Sequence, residues 1–295
     1  MLNINQAIEN RNNYITKCQE KGEFGIACNY SEFDRLTDGG FKDGDVIVLG
    51  ANSSVGKTQL ALNLLYNSCG NRVNVLFSLE MSSRLIVNRL LSIASGRNSI
   101  VDLKTTNSLT EISEIEQVEL DKAINTLSNK NIAIFDDMRQ FDSIANSLRE
   151  LDSQLKKNNK RIGLVVIDYL TMIEGFNNSP SENLRVGKIS KELKKLAMEM
   201  KVPILVLAQL NRNNNNRVSK KPVLSDLKDS GAIEQDADMV ILLYREGYFN
   251  KDKKLQEEIA VNGYQDVICD VAKNRNGETK EITLKFISDK GIFYE

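Results

Sequence analysis

Histidine is absent from all 295 residues, and cysteine occurs only four times. Without histidine, imidazole acid–base chemistry is excluded and a transition-metal centre is disfavoured. Cys18, Cys28, Cys69 and Cys269 form no CxxC pair, so their spacing indicates neither a zinc site nor a disulfide framework. Neither charge sign is in excess: 39 Lys+Arg against 40 Asp+Glu leave a net charge of −1. A polyanion would have to be held by local basic clusters and backbone amides, not by the overall field. No apolar run approaches the ~18 residues of a membrane span. The opening MLNINQAIENRNN lacks the charged-then-apolar layout of a signal sequence. The chain therefore reads as cytosolic, with no membrane partner. Its chemistry must come from carboxylates, Lys, Arg, hydroxyls, amides or a bound hard cation.

With 41% hydrophobic and 27% charged residues, the composition is that of an ordinary globular protein. Residues 3–21 put Ile4, Ile8, Ile15 and Cys18 on one helical stripe, and Gly22 and Gly25 then break the pattern. This predicts a helical arm over residues 1–24 that either packs on its own domain or docks on another subunit. Residues 25–295 read as one α/β domain. Short apolar runs at 45–50, 73–78, 131–136, 161–168, 202–208 and 237–244 read as buried strands. They alternate with helical patterns near 57–68, 82–95, 112–128, 141–157 and 185–201. That alternation predicts a mostly parallel sheet covered by helices on both faces. After Asp266, VICDVAK, EITLKFI and GIFYE read as a hairpin and one further strand, turning at Asn276-Gly277. NRNNNNR (211–217) reads as a mobile loop. On the helix 185–201, Val186, Ile189, Leu193, Leu196 and Met200 form the buried stripe, and Lys188, Lys191, Lys194 and Lys195 read as a solvated face.

The stretch LGANSSVGKTQLALNLL (49–65) joins a strand, a loop and a helix in the order a phosphate-binding loop requires. The usual pattern is Gly, four residues, then Gly-Lys-Ser/Thr. Here Ala51 holds the first position, which is tolerable if its φ stays negative. The expected cradle is Ser53, Ser54, Val55, Gly56, Lys57, Thr58 and Gln59. Backbone N–H groups would wrap the phosphates, Lys57 would neutralise β/γ charge, and Thr58 would ligate Mg²⁺. A Mg²⁺-side carboxylate should end another strand. Asp168, after the wholly apolar RIGLVVID, is preferred to Asp136 and Asp137. The residue after it is Tyr169, not the water-activating glutamate found there in many such enzymes. Glu80, at the end of VNVLFSLE, is the expected base, and Gln209 the expected γ-phosphate sensor. No cation besides Lys57 is evident within the same subunit to neutralise the transferring group.

These motifs resemble the motor domain of DnaB-type replicative helicases, RecA-like hexameric ATPases with a P-loop, over about residues 24–295. SLEM (78–81) is similar to the segment carrying the catalytic glutamate, LVVIDYL (164–170) to the second nucleotide motif, and AQLNR (208–212) to the sensor. DLKDSGAIEQDADMVILLYRE (226–246) resembles the DNA-gripping loop and the following strand. KNRNG (273–277) resembles the segment that reaches a neighbour's ATP. The resemblance implies ATP and Mg²⁺ as cofactors, a homo-oligomer of six subunits in the family's manner, and 5′→3′ movement on single-stranded DNA. It implies that Lys228, Asp229 and Gly231 contact the DNA backbone, and that Lys273 and Arg275 act on a neighbour's nucleotide. Arg212, Arg217, Lys220 and Lys221 either line the pore or form a solvated loop. Bacterial members carry an additional N-terminal helical domain that meets primase. Only the arm precedes the motor here, which suggests a reduced helicase of the kind a phage or mobile element encodes, and leaves a loader or primase partner open. A RecA- or RadA-like recombination ATPase and a regulator or loader of a host helicase are the alternative readings.

Overall fold

The computed structural model describes residues 3–21, 24–96, 113–177, 179–211, 217, 219–227, 230–250 and 252–295. Its helices are α1 (Ile4–Lys21), α2 (Ser31–Leu36), α3 (Lys57–Asn67), α4 (Ser83–Ser95), α5 (Glu114–Ser128), α6 (Phe141–Lys157), α7 (Glu182–Met200), α8 (Ser230–Asp236), α9 (Glu246–Phe249) and α10 (Lys253–Asn262). The strands are β1 (Val46–Ala51), β2 (Val73–Ser78), β3 (Ile132–Phe135), β4 (Ile162–Asp168), β5 (Ile204–Gln209), β6 (Met239–Tyr244), β7 (Gln265–Asn274), β8 (Lys280–Ile287) and β9 (Ile292–Tyr294). Among the described residues the strands form one sheet in the order β3-β2-β4-β5-β1-β6-β7-β8-β9. Strands β3 to β6 in that order run parallel, and β7, β8 and β9 are antiparallel additions.

The parallel strands are apolar on both faces because helices cover both. Along β1, Ile47 and Leu49 face one core with Leu60, Leu64 and Leu65 of α3 and Ile86 and Leu90 of α4. Val46 and Val48 face the other, with Ile144 and Leu148 of α6 and the α7 stripe Val186, Ile189, Leu193 and Leu196. The α7 stripe is buried as its periodicity predicts. The lysine face needs one correction. Lys188, Lys191 and Lys195 are exposed, but Lys194 turns inward and pairs with Asp238 at 2.6 Å. It sits one residue from Leu193, at the border of the stripe, where a long stem can reach a buried acid.

The arm is helical, and its stripe is only partly covered. Cys18 is buried, whereas Ile4 and Ile8 are 73% and 50% exposed. Only the end of α1 nearest the domain packs on it. No helix among the described residues is long and apolar enough to cross a membrane.

The sheet's first strand is entered through Asp45, half-buried beside Asp238. Burial, and next the repulsion of Asp238, push the Asp45 carboxyl up to about 6. A carboxyl whose folded pKa exceeds its unfolded value binds its proton more tightly in the native state. Ionisation of Asp45 therefore opposes folding progressively as pH rises from about 4 to about 6, and the penalty persists above that window. Asp45→Asn is expected to raise stability by on the order of 1 kcal/mol near neutral pH, after allowance for partial exposure, and to add nothing near pH 4. Urea midpoints at the two pH values check this. A gain of equal size at both, or a loss near neutral pH, would contradict it.

Candidate functional site

The parallel strands end together at one edge of the sheet. β1 ends at Ala51, β5 beside it at Gln209, and β4 beyond at Asp168, which is in register with Ser78 of β2. Such an edge is where open α/β sheets bind ligands. A cleft of about 700 Å³ lies there, lined by the phosphate-loop residues with Glu80, Tyr169 and Gln209.

The missing glycine is explained by the backbone. Ala51 is the last residue of β1, fully buried and paired in register with Gln209 and Leu243, so no turn begins there. The left-handed positions are Ser54 (φ 64) and Gly56 (φ 116). At Gly56 a side chain would be strained, and the chain there must stay open to a ligand. α3 starts at Lys57 with no side-chain cap, so its first-turn N–H groups have no intrahelical acceptor and point their dipole into the cleft.

Lys57 Nζ donates to the Ala208 carbonyl at 3.3 Å and lies 5.5 Å from the centroid of the Tyr169 ring. Burial draws the Lys57 ammonium below the usual lysine range, against the pull of Asp168 and Glu80. Thr58 Oγ1 donates to Asp168 Oδ2 at 2.7 Å. Asp168 is 2% exposed, and its buried Oδ1 has no hydrogen-bond partner among the described residues. Burial raises its pKa, opposed by the Thr58 hydrogen bond and by Lys57. An unsatisfied buried carboxylate oxygen beside a hydroxyl fits a hard cation that arrives with phosphate and its own waters. Gln209 Nε2 donates to Ser53 Oγ at 2.7 Å, tying the expected sensor to the loop.

Some expected cradle residues contribute only backbone. The Val55 side chain is buried in the core, and the Gln59 amide is turned to the Gly291 carbonyl, where it anchors the segment leading into β9. Asp136, the rejected acid, accepts the N–H of Ser83 and so steadies the start of α4.

The expectation that Lys57 is the lone cation is corrected. Arg89 of α4 and Arg245, just past β6, both line the cleft. Arg89 lies in the field of Asp168 and Glu80. Arg245 Nη2 donates to the Ser54 carbonyl at 3.2 Å, and its guanidinium lies 5.5 Å from the Phe286 ring. The clue to Arg89 is a cation set inside the apolar run LIVNRLL, next to buried Leu90. Nothing local distinguishes Arg245 from a strand-end charge.

Lys273 and Arg275 lie elsewhere. β7 runs antiparallel to β6, so its end meets the start of β6, with Val240 opposite Lys273 and Met239 opposite Asn274. That is the opposite edge of the sheet from the cleft, roughly 20 Å away along a six-residue strand. Both side chains reach the last turn of α8, Lys273 to the Glu234 carbonyl and Arg275 to the Gln235 carbonyl. Of the expected DNA contacts, Arg212, Lys228 and Asp229 lie outside the described residues. Gly231 is exposed near the start of α8. Arg217 is paired with Asp226 and also donates to the Lys221 carbonyl. Lys221 is itself paired with Glu281 at 2.5 Å.

Comparison with known proteins agrees with this arrangement. The DnaB-like helicase C terminal domain family matches residues 25–295. Replicative DNA helicase DnaB of Helicobacter pylori (strain J99 / ATCC 700824) is 35% identical over 96% of this chain and 63% of its own length. That of Geobacillus stearothermophilus is 36% identical over 98% of this chain and 58% of its own length. The chain thus spans about three fifths of these curated relatives. Among solved structures, the ATPase domain of G40P superposes with a TM-score of 0.86 at 32% identity, covering 99% of this chain and 98% of that one. A DnaB-like replicative helicase described with its interactions with primase gives 0.83 at 32% identity, covering 99% of this chain and 67% of that one. The motif order, the fold and these likenesses agree: the chain belongs to the DnaB-like helicase C-terminal domain family.

Proposed function

We propose that this chain is the ATP-hydrolysing motor of a ring-forming DNA helicase that translocates on single-stranded DNA. The observation that carries the proposal is the pairing of Thr58 with Asp168 beside Lys57, with one Asp168 oxygen left without a partner among the described residues. Relatives named as replicative helicases support this reading over a recombination ATPase or a non-hydrolysing regulator. A primase is the partner class that one similar structure suggests, and a helicase loader is a further proposed partner.

In this mechanism the amides at the start of α3 and Lys57 hold the β- and γ-phosphates of ATP. Thr58 and Asp168 would hold Mg²⁺, which when bound spreads the phosphate charge. Glu80 orients the attacking water and takes its proton. Arg89 adds positive charge on the Glu80 side of the cleft. Gln209 feels the presence of the γ-phosphate and passes it to Ser53 and along β5. Lys273 and Arg275 sit too far from their own cleft to assist it. They serve the cleft of a neighbour packed head to tail, which a closed ring permits.

On the DNA side, Lys228, Asp229 and Gly231 are the proposed backbone contacts. One cation and exposed amides track phosphates without reading bases. Arg217 is better assigned to bracing the segment that follows it, through Asp226 and the Lys221 carbonyl. Arg212 belongs with the proposed DNA contacts. The exposed Ile4 and Ile8 suit an arm that docks on an adjacent subunit.

Lys57→Ala should keep the fold and lose at least about a hundredfold in ATP turnover, since Lys57 serves charge and not packing. Circular dichroism and a phosphate-release assay check this, and turnover near wild type would remove the ATPase assignment. Lys228→Ala should weaken DNA binding about equally on all sequences and lower the salt slope by about one. Fluorescence anisotropy against salt reads both, and a loss confined to one sequence would contradict backbone tracking. Arg275→Ala should bind nucleotide normally but lose about 10³-fold or more in turnover. Mixing it with Lys57→Ala chains should restore part of the activity, because those chains offer an intact Arg275 to an intact cradle. Wild-type turnover of Arg275→Ala with single-stranded DNA present would refute the trans role.

A further inference from the structure

Asp238 lies just before β6, only 6% exposed, and contacts three other elements. Its N–H donates to the Val46 carbonyl at 2.9 Å, and its own carbonyl accepts the Arg275 N–H at 2.8 Å. Its Oδ2 accepts the Val46 N–H at 2.8 Å and Lys194 Nζ at 2.6 Å. Its Oδ1 accepts Arg275 Nη1 at 3.3 Å. One carboxylate thus joins the start of β1, helix α7 and the turn after β7. Lys194 is fixed in turn by a second bond, to the Gly44 carbonyl at 2.9 Å.

The two cations on Asp238 have different settings. The Lys194 side chain is 23% exposed and that of Asp238 8%, so this pair is largely desolvated. A carboxylate so placed needs a partner charge, and Lys194 with the Val46 N–H supplies what burial demands. The Arg275 side chain is 46% exposed. An ion pair that open to water adds little stability. What it does add is direction. The guanidinium is bonded to Asp238 through one nitrogen and to the Gln235 carbonyl through another, both bonds on the inner side, while nearly half the side chain faces solvent. The carbonyls of Glu234 and Gln235 belong to the last turn of α8, where a helix leaves acceptors unused and favours cations.

We infer that Asp238 is a positioning residue that sets the direction in which Arg275 is presented to a neighbouring subunit, while Lys194 and the Val46 N–H occupy its other oxygen. This rests on the proposed role of Arg275 at a neighbour's nucleotide. Asp238 itself touches no nucleotide, since it lies at the sheet edge opposite its own cleft. The same bracket includes the end of α8, whose beginning carries the proposed DNA contact Gly231. A displaced α8 therefore moves the acceptors that hold Arg275.

The test compares variants of the assembled protein with single-stranded DNA, reading ATP turnover, binding of a fluorescent ATP analogue and thermal midpoint. Asp238→Asn keeps the shape and an acceptor for the Val46 N–H but removes the charge. It is expected to lose at least about tenfold in kcat, with analogue affinity within about twofold of wild type, the signature of an interaction made in the transition state. Mixing with Lys57→Ala chains should restore turnover, because those chains carry an intact Asp238 and Arg275. Lys194→Met should lower the thermal midpoint as Asp238→Asn does, yet keep kcat within about twofold, since Asp238 is still held by the Val46 N–H and still faces Arg275. Where Asp238→Asn does not assemble, Asp238→Ser takes its place, its hydroxyl still accepting from Val46.

Wild-type turnover in Asp238→Asn, a loss that mixing does not restore, or an equal loss in Lys194→Met would each overturn the inference. Arg275→Ala is measured alongside. If it turns over at the wild-type rate, the trans role itself falls. If it is inactive while Asp238→Asn is not, only the positioning role falls.

Discussion

The hydrogen bond from Thr58 to Asp168 joins two elements that are not neighbours in the sheet. Thr58 opens α3 after β1, Asp168 closes β4, and β5 lies between them. The bond spans β5 because the parallel register, with Ile167 opposite Val206 and Val206 opposite Val48, brings the end of β4 within about two residues of the ends of β5 and β1. Gln209 at the end of the intervening strand then falls between the two, against Ser53. The proposed cradle, acid and sensor are thus placed by one constraint, the parallel register of three buried strands.

The same sheet separates the two halves of the chemistry. The cleft occupies the edge where the parallel strands end, and Arg275 occupies the edge where they begin. A rigid strand cannot bring these together within one chain. In the proposed mechanism one edge supplies positive charge and the other receives it, and head-to-tail packing is the arrangement that would satisfy both. The buried Asp238 matters in this setting because a cation offered across an interface has to be aimed from its own subunit.

Much of this was legible in the sequence, for reasons that differ by element. Buried parallel strands have to be apolar on both faces, so RIGLVVID declared both its strand and the acid at its end. The strand and helix that flank the expected cradle were legible because GKT follows one and opens the other, and Ala51 belongs to the strand. Lys273 and Arg275 stand two residues apart, a strand spacing that puts side chains on one face, and both reach the end of α8. What escaped were side chains whose roles depend on tertiary return. Arg89 looked like part of an apolar helix, Arg245 like a strand-end charge, and Lys194 like one lysine among four. Their partners are distant in sequence: Lys194 and Asp238 are 44 apart, and Arg245 and Ser54 are 191 apart. No local pattern encodes such pairs. The short helices α8, α9 and α10 also escaped, because each lacks the length over which helical periodicity becomes distinct.

The central claim is that a cleft in one subunit is completed by the opposite edge of another. The most direct measurement is the specific ATPase activity of the wild-type chain across a wide dilution series, with the assembly state followed by native mass in the same samples. The account predicts that activity per chain rises with protein concentration in step with the oligomer and falls toward zero in the monomer. Activity per chain that stays constant as the protein dissociates to monomers would contradict it.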